Sequence, residues 1–90
     1  MVKNADMESG KMLSLDSIRA GESVRVMKIY LNDNMRSRLF DIGLTEGTKI
    51  TCIGKSPSGD PYAFLIRGSV FALRKSDCKM IFVCRKGEGE

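Results

Sequence analysis

A helix that must stop at one residue and hand over to a strand constrains this chain more than any other feature. The stretch Arg38-Leu39-Phe40-Asp41-Ile42-Gly43-Leu44-Thr45-Glu46-Gly47-Thr48 reads as a helix end, a glycine stop, one buried leucine, a tight turn and a strand start. Upstream, Asn32, Asp33 and Asn34 offer N-cap residues, and Met35, Leu39 and Ile42 follow at i, i+4 and i+7 on one helical stripe. Gly43 is expected at the left-handed position after the helix, with Leu44 folding back as its hydrophobic contact. A β-branched residue there should cost about 1–2 kcal/mol. The stretch holds no nucleophile, base or metal-ligand cluster, so it points to a binding module rather than a catalyst.

The flanking segments read as short strands. A brief edge strand over residues 12–15 precedes a single helical turn at Asp16-Ser17-Ile18-Arg19, and Ala20-Gly21 makes a turn. Residues 22–30 form the first long strand, with Val24 and Val26 on one face and Met27 and Ile29 on the other. A bulge near Met27 would turn both pairs inward around a curved sheet. After Glu46-Gly47, residues 48–55 form a strand with Ile50 and Cys52 on one side and Thr51 and Ile53 on the other. Ser56-Pro57-Ser58-Gly59-Asp60-Pro61 is a loop by its turn formers. Residues 62–66 and 69–73 make a hairpin around Arg67-Gly68, a helical turn follows at Ser76-Asp77-Cys78-Lys79, and residues 80–84 close the sheet. The fold expected is mainly β: a small SH3-like antiparallel barrel of five to six strands with one inserted short helix over about Asp33–Ile42. Closure of the barrel would protect the edges of so short a chain. Residues 1–11 are polar and aperiodic and read as an arm; 12–84 are the domain; 85–90 read as a tail.

Composition narrows the function classes. Ninety residues hold one domain with a thin core. The net charge of +4 suits an acidic partner or an anionic membrane face and falls short of a nucleic-acid signature. Cys52, Cys78 and Cys84 are odd in number, widely spaced and without a CxxC, so they read as buried or half-buried thiols in a reducing cytosol. The polar start is no signal peptide, and no apolar run approaches the ~20 residues of a bilayer span. A cytoplasmic protein is expected, reaching a membrane only through a partner.

The ordered set Leu15-x-x-Ile18, Gly21, Val26, Arg38-Leu39-x-x-x-Gly43-Leu44-x-x-Gly47-Thr48-x-Ile50, the loop 56–61, Arg67-Gly68, Ala72-Leu73-Arg74 and Ile81-x-Val83 resembles the FeoA family. That family comprises small cytosolic components of bacterial ferrous-iron uptake, and the same module is similar to the C-terminal SH3-like domain of iron- and manganese-dependent repressors. Such domains often carry Pro-Gly at both early turns; here Ala20-Gly21 and Glu46-Gly47 stand instead, keeping the glycine and losing the pre-set φ of proline. The resemblance implies a non-enzymatic accessory protein. Its implied partner is a FeoB-type membrane iron transporter, met at the cytosolic part with its GTP-binding domain.

Several side chains are candidates for partner contact. Arg36 and Arg38 on the helix could meet acidic groups, though Arg38 also stands at i, i+3 from Asp41, an ion-pair spacing. Leu31 and Met35, beside Tyr30, lie where strand meets helix, Leu31 being the better docking residue and Met35 the better core residue. Arg67 and Arg74 flank the hairpin; either could tie a carboxylate or a loop carbonyl, and that structural reading is favoured for Arg74. The partner-contact set is therefore Leu31, Met35, Arg36, Arg38 and Arg67. No cofactor is expected and direct iron binding is disfavoured: histidine is absent, and Asp60, Asp77, Asp33 and Glu22 are scattered without a ligand pattern. Two other classes compete. One is a basic barrel binding nucleic acid, which the aromatics argue against, since most of Tyr30, Phe40, Tyr62, Phe64, Phe71 and Phe82 fit a core. The other is a metal-responsive or weakly self-associating module.

Overall fold

β2 organises the sheet because it bends. In the computed structural model, which describes residues 12–85, the chain runs β1 (Leu13–Ser14), a 3-10 turn (Leu15–Ser17), β2 (Ser23–Ile29), α1 (Asp33–Asp41), β3 (Lys49–Lys55), β4 (Tyr62–Ile66), β5 (Ser69–Leu73), α2 (Lys75–Cys78) and β6 (Ile81–Arg85). β2 pairs with β3 through Ser23, Val24 and Arg25 and with β6 from Val24 to Ile29. Its register on β6 shifts between Val26 and Lys28, which makes Met27 the extra, bulged residue. Val24, Val26 and Ile29 all face the core as a result, although their numbering changes parity. Met27 itself does not: it is 40% exposed, contrary to the expectation that it would turn inward with Ile29. The bulge absorbs the residue that the alternation cannot place.

All strand pairs are antiparallel, in the order β1-β6-β2-β3-β4-β5. This is the expected SH3-like sheet with its inserted helix. It wraps one core and leaves two edges, β1 and β5. Strand residues Val24, Ile50, Phe64, Ile66, Ile81 and Val83 fill the core, and Leu15, Ile18, Leu39, Leu44 and Cys78 complete it from the connections. Burying each such large side chain contributes about 1.5–3 kcal/mol. β3 alternates as expected, with Ile50 and Cys52 buried and Ile53 half exposed.

Arg85, assigned to the tail by its sequence, is the last residue of β6 and pairs with Val24. Its guanidinium ion-pairs with Glu22 at the entrance to β2. That contact, and the Arg19 backbone N–H at 2.8 Å, hold the Glu22 carboxyl below the usual carboxylate range. The arm over 1–11 and the rest of the tail, 86–90, lie outside the described residues.

Candidate functional site: the inserted helix and its two grooves

α1 is fastened at both ends by side chains that lie far apart in sequence. Asn32 is the N-cap, its Oδ1 accepting from the Met35 N–H at 2.9 Å. At the other end the Leu44 N–H donates to the Leu39 carbonyl (2.8 Å) and the Gly43 N–H to the Phe40 carbonyl (2.9 Å). These two bonds make a Schellman motif, with Gly43 left-handed at φ 90° and Leu44 only 1% exposed. The Gly43 carbonyl then accepts two bonds, from Thr48 Oγ1 at 3.2 Å and Arg67 Nε at 3.1 Å. Thr48, a buried polar residue, is thereby satisfied; its hydroxyl also accepts from the Thr45 N–H at 3.2 Å. Arg36 Nη1 donates to the Ile29 carbonyl, which fixes the first half of the helix to the end of β2.

Two open grooves flank the helix. One, of about 570 Å³, is lined by Ile29, Asp33, Arg36, Phe40, Asp41 and Glu46 among others. The second, of about 540 Å³, lies between α1 and β5 and includes Leu31, Met35, Arg38, Ile42, Phe71 and Arg74. The structure therefore gathers Leu31, Met35 and Arg38 in one groove and places Arg36 in the other. Leu31 packs, half-buried, against the core cluster. Arg67 lines neither groove and lies across Gly43.

Arg67, not Arg74, ties a loop carbonyl, because the left-handed pair Arg67 and Gly68 (φ 50° and 86°) aims the Arg67 side chain back at the helix end. The Arg74 carbonyl caps α2 by accepting from the Asp77 and Cys78 N–H groups, while its side chain stands exposed beside the second groove. Arg38 and Asp41 form no ion pair; among the described residues the ion pair formed is Arg85–Glu22. Sequence reasoning missed Phe40, which is 68% exposed in the first groove. Its position one step past Leu39, about 100° off the buried stripe, was the available signal.

Cys52, Cys78 and Cys84 are free and buried. Burial pushes the Cys78 thiol up to about 12, helped by the charges of Asp16 and Asp77, and also raises Cys52, partly offset by Lys55. Neutral thiols are poor nucleophiles. Alkylation by iodoacetamide at neutral pH is expected to be on the order of a hundredfold slower in the native protein than in denaturant, since it requires opening of the core. A folded-state pKa above the unfolded value of 9.0 gives a contribution complete below pH 9 and lost as pH rises toward 12. Urea midpoints measured from pH 7 to pH 11 should therefore fall above pH 9; rapid native-state labelling would contradict the burial. Among the described residues, no three Cys, Asp or Glu side chains gather into a metal-binding group.

A curled antiparallel sheet with one inserted, doubly anchored helix defines an SH3-like domain whose accessible surface features are grooves. The FeoA domain family matches this chain over residues 13–85, and the chain belongs to that family. It is 36% identical to a FeoA-like protein of Clostridium acetobutylicum, covering 84% of this chain and 88% of that one at a TM-score of 0.75. An iron uptake regulatory protein (FeoA) is 26% identical over 82% of this chain and 97% of that chain, TM-score 0.74. The zinc-bound repressor ScaR shares the fold at 19% identity and a TM-score of 0.72, over 81% of this chain and 36% of its own. None of the curated proteins compared matches the chain. No helix among the described residues is long and apolar enough to cross a membrane.

Proposed function

We propose that this protein is a non-enzymatic accessory and regulatory component of bacterial ferrous-iron uptake that acts in the cytoplasm by binding the cytosolic part of a FeoB-type transporter. The observation that carries this reading is the FeoA domain match across nearly all described residues. The anchored helix supports it. α1 presents Arg36, Arg38, Met35 and, beside it, Leu31, a mixture of cation and apolar surface suited to a protein partner. No cofactor of the chain's own is part of the reading, and recruitment to the membrane follows from the partner alone.

The test is a calorimetric titration of the full chain against the transporter's soluble GTP-binding domain, with and without guanine nucleotide. Binding in the micromolar range is expected, weakened severalfold by Arg38→Glu, which leaves the Arg36–Ile29 anchor in place. No heat at high micromolar concentration in either nucleotide state counts against the reading.

A further inference from the structure

β5 ends the sheet, and its composition is unusual for an edge. An edge strand offers a row of unpaired N–H and C=O groups and is ordinarily blunted by charge, proline or cover. β5 (Ser69–Leu73) carries neither charge nor proline, and Val70 is 61% exposed. The hairpin geometry fixes which backbone groups are open. A two-residue turn with left-handed Arg67 and Gly68 makes Ile66 and Ser69 the hydrogen-bonded pair. By alternation Val70 and Ala72 then direct their N–H and C=O groups away from β4. Among the described residues neither forms a backbone bond outside the sheet.

The surroundings of this edge fit an added strand on both faces. On one side lies the groove between β5 and α1, with Leu31, Met35 and Phe71 as its apolar floor and Arg38 and Arg74 on it. On the other face Leu65 stands opposite Val70, with Ile53 beyond, at 37%, 61% and 49% exposure. A strand laid against β5 about 4.8 Å away would place alternate side chains on these two surfaces.

We propose that β5 accepts an extended acidic segment of a partner protein by strand addition, its backbone pairing with Val70 and Ala72 and its carboxylates meeting Arg38 and Arg74. This goes beyond the transporter reading and does not depend on which protein supplies the segment. Charge selects the occupant. Both ends of β5 are basic, with Arg67 before it and Arg74 and Lys75 after it, while Asp77 is the carboxylate among the residues lining the groove. Antiparallel pairing of β5 with a second copy, Val70 opposite Ala72, would set Arg67 opposite Lys75 twice, a like-charge arrangement that destabilises a sheet. An acidic strand meets the same cations favourably.

The experiment is an amide-resolved NMR titration of the full chain with a blocked nine-residue peptide alternating glutamate with valine and threonine. The Val70 and Ala72 amides should shift, and at saturation exchange with solvent at least tenfold more slowly. The peptide with lysine in place of glutamate should bind at least tenfold more weakly, and R38E/R74E should reverse that preference. N-methylation of alternate peptide nitrogens should abolish binding. Several results would overturn the proposal: unmoved Val70 and Ala72 amides at millimolar peptide, shifts confined to α1, or no preference for the acidic peptide. A preference that survives R38E/R74E would do the same. Shifts at Val70 and Ala72 that depend on protein concentration alone would assign the edge to a second copy and equally overturn it.

Discussion

Gly43→Val is expected to destabilise the domain by about 2–3 kcal/mol, of which about 1–2 comes from the left-handed backbone and about 1 from a lost hydrogen bond. The backbone there has φ +90°, and a Cβ would lie 2.4 Å from Arg67 Cδ and 2.8 Å from its Nε. Arg67 must swing away, releasing the Gly43 carbonyl. Gly47 supplies the control, because its φ is similar (+94°) and nothing lies within 4 Å of its Cβ position. Gly47→Val should cost only the backbone part, about 1–2 kcal/mol. In an Arg67→Ala background the difference between the two glycines should vanish, a coupling of about 1 kcal/mol measurable by urea unfolding of the double-mutant cycle. Equal costs at Gly43 and Gly47 in the parent protein would show that the arginine contact contributes nothing.

Phe64→Ala is expected to cost about 3–5 kcal/mol, a large share of the ~5–15 kcal/mol available to a small domain. Phe64 is fully buried in the middle of β4, between Cys52 on β3 and Phe71 on β5, with its ring 6.4 Å from that of Tyr62. The cavity would open at the centre of the curled half of the sheet, where β3, β4 and β5 depend on one another. Phe40→Ala makes the opposite case. Its ring is exposed on α1, so stability should change by no more than about 0.5 kcal/mol. A stability loss for Phe40→Ala approaching that of Phe64→Ala would mean that the helix buries a face other than the one described.

How much of this was legible beforehand depends on the range of the interaction. The helix, its glycine stop and the returning leucine are local, written in the spacing of Met35, Leu39, Ile42, Gly43 and Leu44, and the Schellman bonds match that spacing. The bulge in β2 was also legible, because Val24, Val26 and Ile29 break strict alternation; which residue would be expelled was not, and Met27 is the one outside. The aromatics divide by context. Tyr62 and Phe64 are buried, Phe71 and Phe82 half-buried, and Tyr30 and Phe40 exposed, Tyr30 with its ring edge against Phe82. The contact of Arg67 with Gly43 spans 24 positions and depends on a left-handed turn aiming a flexible side chain at a distant carbonyl. No local pattern encodes that. The groove between α1 and β5 is equally non-local, which is why Leu31, Met35 and Arg38 could be named singly while their meeting with Phe71 and Arg74 needed the structure.

The pairing of β6 bears on how such a chain is made. β1 finds its partner in Val83 and Phe82, and the second half of β2 finds its own in Phe82 and Ile81, more than fifty positions later. A nascent chain emerging from the ribosome thus carries β1 and the second half of β2 without their partner until β6 has been synthesised. The hairpin of β4 and β5 and the capped helix can form while synthesis continues, since their contacts are close in sequence. The core containing Leu15, Ile18, Val26 and Val83 stays incomplete until Val83 is in place. A stop codon a few residues before Ile81 would remove β6 and leave β1 and the second half of β2 without their partner, so truncation there should abolish the fold.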